Sequence, residues 1–172
     1  MKSWILLVVS LALVLQLLIA WAMPGTIMSM LLSKVGNTGM LNTMVARPVP
    51  DASMREVVRP SPDLAYSICV FDLSDGPLKV SSPVPSTYWS LQFYGDNTDN
   101  FGGFSNRGES AQLEQALFSA TLVGPNVDPS QYSGAVIQSP SAEGLALIRQ
   151  TLVGVSAEDL KTQQAQHYCG KI

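Results

Sequence analysis

With 172 residues, the chain allows one compact domain of ordinary size. Charged residues make up 13% and apolar residues 47%, which excludes a disordered tail, a coiled coil and a collagen-like chain. A net charge of -3 leaves no basic face, so nucleic acid is excluded as a partner; two cysteines and one histidine are too few for a Cys/His zinc cluster.

The first element is apolar. From Trp4 to Met23 there is no charge, and Ser10 and Gln16 are the polar positions. Twenty helical residues rise about 30 Å, the thickness of the hydrocarbon core of a bilayer. Trp4 and Trp21 stand near the two ends, where interfacial aromatics are favoured. Pro24 and Gly25 are expected to stop or kink the helix. Residues 1–23 therefore read as a transmembrane anchor. The alternative is a cleaved signal peptide, with Lys2 as its basic region and Ala20-Trp21-Ala22 as its cleavage pattern, although the apolar run exceeds the usual h-region. Both readings export the rest of the chain. Lys2 favours an N-terminus inside, opposed by Lys34 on the other flank.

Residues 24–58 read as a juxtamembrane helix and linker. Thr26 to Val35 is expected to form a short helix with Ile27, Met30, Leu31 and Leu32 on its apolar side, ended by Gly36 to Gly39. Met23, Met28, Met30, Met40 and Met44 cluster here; they either pack on headgroups and the domain or line a partner surface. Arg47-Pro48-Val49-Pro50 and Arg59-Pro60-Ser61-Pro62 punctuate the linker.

Residues 59–172 change texture to short β-like runs. Ala65 to Asp72 is apolar on both faces, as a central strand would be. Leu78 to Ser81 follows the turn Ser74-Asp75-Gly76-Pro77. Thr87 to Tyr94 alternates, with Trp89, Leu91 and Phe93 on one face. Gly95 to Gly103 is expected to be a loop. Phe118 to Val123, Tyr132 to Gln138 and Gly144 to Val153 complete six strands, which suggests a β-sandwich. Ser156 to Gln166 reads as a helix capped by Ser156, with Glu158 and Asp159 in its first turn.

Pro60 to Ser67, Asp72 to Pro77 and Tyr88 to Gln92 together carry a recognisable pattern: Pro-x-x-Asp-x-x-Tyr-Ser, Asp-Leu-Ser-x-Gly-Pro and a Tyr-Trp-Ser-Leu-Gln strand. With Ile148 to Val153 and Glu158-Asp159-Leu160, the stretch from about Arg59 to Gln166 resembles the domain-of-unknown-function 1254 family. The resemblance implies a mainly β fold, an immunoglobulin-like sandwich with an N-terminal transmembrane helix and a C-terminal helix, in a bacterial envelope. The expected location is the inner membrane, single-pass, with the C-terminal domain in the periplasm. Longer relatives pair this domain with one of the domain-of-unknown-function 1214 family, and this chain is expected to lack it. Any site between the two domains would need a separately encoded partner. The family implies no established catalytic residues.

Cys69 and Cys169 are an even pair in an exported chain, which favours a disulfide over two unpaired thiols. His167 reads as a solvated tail histidine, with no second ligand for a metal. Gly103-Phe104-Ser105-Asn106-Arg107 lacks the last glycine of a nucleophile elbow, and Asp96 to Asn100 reads as a turn rather than a calcium loop. No catalytic constellation, cofactor motif or metal site is recognisable. Arg149 shares strand parity with Leu145, Leu147 and Val153 and is expected to point inward or into a cleft. It forms either a structural ion pair with Asp63 or Asp72, or a ligand cleft beside Tyr66. Two functions remain open: an interaction or assembly module, or a ligand-binding protein or enzyme completed by a partner.

Overall fold

A computed structural model describes residues 2–51, 53–54, 60–107 and 117–172. The linker's end at 58, the start of the β-domain at 59 and Arg59 itself lie outside the described residues.

The first helix, α1, runs unbroken over Lys2–Gly36, with Pro24 inside it. The expected break at Pro24 and the separate helix at Thr26 to Val35 are thus one continuous element. Proline removes one amide and crowds the preceding turn, a cost of about 3 kcal/mol in a helix interior. The carbonyl that loses its donor is that of Ala20, and the nearby hydroxyls of Thr26 and Ser29 donate elsewhere, to Met23 and Thr26, at 2.7 and 2.9 Å. Packing offsets the cost. Beyond the proline, Pro24, Met28, Leu31, Leu32 and Val35 recur at helical spacing and are withdrawn from solvent, with Met28 only 3% exposed. This stripe docks the helix on the domain, and packing outweighs local propensity. Trp4 to Met23, by contrast, is exposed along its whole length. It is long and apolar enough to cross a membrane. The helix stops at the predicted place: Thr38 and Gly39 donate to Val35 and Gly36, and Gly39 takes the left-handed conformation.

Among the described residues nine strands form two sheets. In chain order they are β1 (Met44–Ala46), β2 (Leu64–Asp72), β3 (Leu78–Pro83), β4 (Trp89–Gly95), β5 (Asn100–Ser105), β6 (Leu117–Val123), β7 (Ala135–Gln138), β8 (Glu143–Thr151) and β9 (Tyr168–Lys171). Between β8 and β9 lies the second helix, α2 (Ala157–Gln164), capped by Ser156, whose hydroxyl accepts from the Asp159 amide at 3.1 Å. One sheet has the order β1-β2-β8-β4-β5 and the other β7-β6-β3-β9. All pairings are antiparallel except β6 with β7.

All six expected strands are present, and three more join them. The first of these, β1, pairs with β2 in the stretch read as juxtamembrane segment and linker. The second, β5, occupies residues read as loop. A tight turn closes it: Thr98, at φ 69, donates to the Gly95 carbonyl at 3.0 Å, and Gly95 donates to Asp99 at 3.0 Å. Gly102 and Gly103 made this segment look like coil, but there they permit close packing. A Cβ on Gly102 would lie 2.8 Å from Ile137 Cδ1, and one on Gly103 2.6 Å from the Gln92 side chain. Phe101 and Phe104 pay the entropic cost of ordering the strand by packing near Phe93 and Phe118, with ring centroids 6.0 and 4.7 Å apart. The third, β9, is too short to show a period.

The core lies between the sheets. Phe71, Trp89, Leu91, Phe93, Ala146 and Ile148 from the first sheet meet Leu78, Val80, Phe118, Ala120 and Leu122 from the second. Trp89 is fully buried; its Nε1 donates to Ser82 Oγ at 3.0 Å and its ring meets Phe118 edge-on. A disulfide between Cys69 on β2 and Cys169 on β9 crosses this core and ties the two sheets together over a separation of 100 residues.

Candidate functional site

Strand parity sorts the residues of β2, β8 and β4 into two sets. Ala65, Ser67, Cys69 and Phe71 point between the sheets, as do Ala146, Ile148 and Gln150, and Trp89, Leu91 and Phe93. Tyr66, Arg149 and Ser90 point the other way. Register places these three in one rank, Tyr66 opposite Arg149 and Arg149 opposite Ser90. The two residues expected to share a cleft, Tyr66 and Arg149, are therefore neighbours. They stand on the outer face of the five-stranded sheet with Leu145 and Leu147, not inward between the sheets. Val153 lies past the end of β8 and is exposed.

Arg149 does not make the expected ion pair. Asp72 is opposite Glu143, at the far end of the same strand pair. Six residues separate it from the Tyr66 rank, about 20 Å at the strand rise. Its carboxylate instead accepts from the Ser74 amide at 2.9 Å. Asp63 sits beside the start of β2, and only its backbone is engaged there, with Leu152 and Ser61. Arg149 is half-buried, and its Nε is sealed from solvent without a hydrogen-bond partner among the described residues.

The hydroxyls beside it are turned to the same use. Tyr66 Oη accepts from the Ser61 amide at 2.9 Å. Tyr88 Oη lies 3.1 Å from Ser90 Oγ, with one of their two hydrogens between them. Each arrangement fills an oxygen lone pair and leaves a hydroxyl hydrogen over. The rank is rich in donors and poor in acceptors. Besides Asp63 at this end, the acidic residues on these strands and their turn lie at the other end of the sheet among the described residues: Asp72 and Glu143 as a register pair, Asp96 and Asp99 in the β4–β5 turn. There α1 covers part of the outer face, and Ser29, Leu32, Ser33 and Leu41 line a cleft with Glu143.

The inner face holds a second polar group that the sequence reading missed. His167 is not solvated; it is 8% exposed, and its Nδ1 lies 2.9 Å from Ser67 Oγ. Burial pushes its pKa down to about 4, so the ring is neutral at pH 7. Gln150, 2% exposed, donates to Gln163 Oε1 of α2 at 3.3 Å. Gln150 Oε1 and His167 Nε2 are both buried without a partner among the described residues. The contact between His167 and Ser67 is one rung of a ladder whose next rung is the disulfide: Ser67 and His167 each precede a bridged cysteine by two residues. That shared offset was the available signal, because alternate residues along each of the two facing strands point the same way. Among the described residues no cluster of His, Cys, Asp and Glu has the makings of a metal site.

These features define a two-sheet, mainly β domain with one long apolar N-terminal helix, a short C-terminal helix and a buried disulfide. The chain belongs to the family described as a protein of unknown function (DUF1254), whose model matches residues 41–168. Two solved structures are similar in fold. The VPA0106 protein of Vibrio parahaemolyticus matches with a TM-score of 0.59 at 14% identity, over 87% of this chain and 35% of that one. An uncharacterized protein from Burkholderia cenocepacia matches with a TM-score of 0.50 at 13% identity, over 88% of this chain and 39% of that one. The chain thus spans well under half the length of either. No curated protein matches.

Proposed function

We propose that this chain is a membrane-anchored interaction or assembly module of the bacterial envelope. It crosses the inner membrane once and holds an immunoglobulin-like β-domain in the periplasm. There it docks a separately encoded protein of the domain-of-unknown-function 1214 family. The observation that carries this reading is the unbroken α1. Its exposed apolar stretch ends at Met23, and the next residues are already docked on the domain, with Met28 buried. A cleaved signal peptide has no reason to continue as one helix into the packed fold. No flexible spacer separates the span from the sheets, so the domain sits against the membrane in a fixed pose. The disulfide supports an oxidising compartment. The greater length of both similar structures supports a domain that works beside further protein mass.

Two measurements test it. Immunoblotting of membranes should find the full 18.5 kDa chain; loss of about 2 kDa would show cleavage of a signal-length segment. Co-expression with a domain of the 1214 family, followed by mild detergent extraction, should yield a complex that survives size-exclusion chromatography. Elution of the two chains as separate species would contradict the proposed partner.

A further inference from the structure

We propose that the outer face of the five-stranded sheet is a phosphate-binding site, formed by Arg149 with Tyr66 and Ser90 on the flanking strands. A cation drawn into a protein surface is ordinarily matched by a carboxylate, because desolvation disfavours the charged form unless a counter-charge compensates. Arg149 is half-buried, its Nε is sealed from solvent, and among the described residues neither Asp63 nor Asp72 answers it. The nearest acids along its own strand pair, Glu143 and Asp72, are six residues away. That is about 20 Å, more than two Debye lengths at physiological salt, so they do little to neutralise its field; Asp63, three residues before Tyr66 and about 10 Å along the strand, is nearer but makes no ion pair with it.

The neighbours make the choice of ligand narrower. Tyr66 and Ser90 flank Arg149 on strands about 4.8 Å to either side; Tyr66 is half-buried, while Ser90 is 1% exposed, so a ligand reaches the Ser90 hydroxyl only when the side chains over it move aside. Their oxygens already accept, from Ser61 and from Tyr88, so what they have left to offer is hydrogen. A guanidinium fork with a donor on each side asks for more acceptor oxygens than the two of a carboxylate, and phosphate supplies them. The next rank along the same face is apolar, Ile68 opposite Leu147, with Gln92 beyond it. A phosphate seated on Arg149 would therefore carry its substituent over an apolar surface. In a domain held against a membrane, the phosphate comes either from a lipid headgroup or from a soluble ester.

The test uses the full-length protein in nanodiscs of phosphatidylcholine, and in parallel discs that also contain phosphatidylglycerol. The thermal unfolding midpoint is followed while inorganic phosphate replaces chloride at constant ionic strength. A midpoint that rises with phosphate in the first discs supports a soluble source. One already raised in the second discs, and insensitive to added phosphate, supports a lipid source. In either case Arg149→Gln should weaken the effect by roughly ten- to a hundredfold, the loss expected for a charge-assisted hydrogen bond. Ser90→Ala should weaken it less and serves as the second variant if Arg149→Gln does not fold. Wild-type midpoints that respond to neither phosphate nor phosphatidylglycerol, or responses that survive both substitutions, would overturn the site.

Discussion

The two faces of β2 and β8 carry adjacent residues with opposite fates. On the inner face Ser67, Cys69, Ile148 and Gln150 are sealed between the sheets; Ser67 and Gln150 meet His167 and Gln163, although Gln150 Oε1 and His167 Nε2 have no partner among the described residues. On the outer face Tyr66 and Arg149 are half-buried, and the guanidinium of Arg149 is left unanswered. A polar group that a fold needs for its own stability is usually satisfied within the fold. A charged group left unsatisfied on a sheet face, with donors on either side, is one whose partner comes from outside. The inner face holds the domain together; on the outer rank Tyr66 and Arg149 remain partly open to solvent, with Ser90 buried at 1% exposure between them and β5.

The largest effect that should separate the faces comes from the inner rung. Replacing Cys69 and Cys169 together by alanine releases a closed loop of 100 residues, and urea unfolding should register a loss of about 2 to 5 kcal/mol. An unchanged unfolding midpoint would mean that the bridge between the sheets contributes nothing. Treatment of the wild type with reductant in urea should produce the same loss.

The next effect comes from His167, one rung along. Its folded pKa of about 4 lies below the ordinary 6.5 because burial disfavours the imidazolium. The unfolded chain thus takes up a proton between these values that the folded chain refuses. Stability should be full above pH 6.5, fall as the pH drops toward 4, and level off below that as far as this group is concerned. The integrated loss is on the order of 3 kcal/mol. His167→Gln retains a group able to bond Ser67 and should flatten this part of the pH profile. A variant profile that matches the wild type would show that His167 titrates normally.

The sequence shows the inner face far better than the outer one. Alternation in Thr87 to Tyr94 gave the buried set Trp89, Leu91 and Phe93 directly, and the even cysteine count pointed to the bridge that the structure contains. Hydropathy found the apolar span. Other features depend on contacts that no local pattern encodes. The continuation of α1 through Pro24 rests on docking of Met28 and its neighbours, which local propensity cannot express. The strand at Asn100–Ser105 was hidden by two glycines whose value lies in close approach to Ile137 and Gln92. His167 looked like part of a tail because β9 shows too little of a period to be recognised alone.

At the site, strand register sets Tyr66 opposite Arg149, on the face that also carries Leu145 and Leu147. Parity alone could not say which face was inner, because β8 carries apolar residues on both. Nor could it exclude Asp72 as a partner, since strand register sets that distance. Ser90 joined the rank only when β4 was seen to pair with β8 on the other side.

Neighbouring residues on one strand offer the most direct test of the contrast. Ile148 faces the core at 1% exposure, and Arg149, one residue on, faces outward. In urea unfolding of the full-length protein at pH 7, Ile148→Ala should cost about 2 to 5 kcal/mol through lost burial and the cavity it leaves. Arg149→Ala should change stability by no more than about 1 kcal/mol, because no protein partner is stranded by its removal. Equal, large losses at the two positions would contradict the account, since Arg149 would then belong to the framework and not to a surface open for binding.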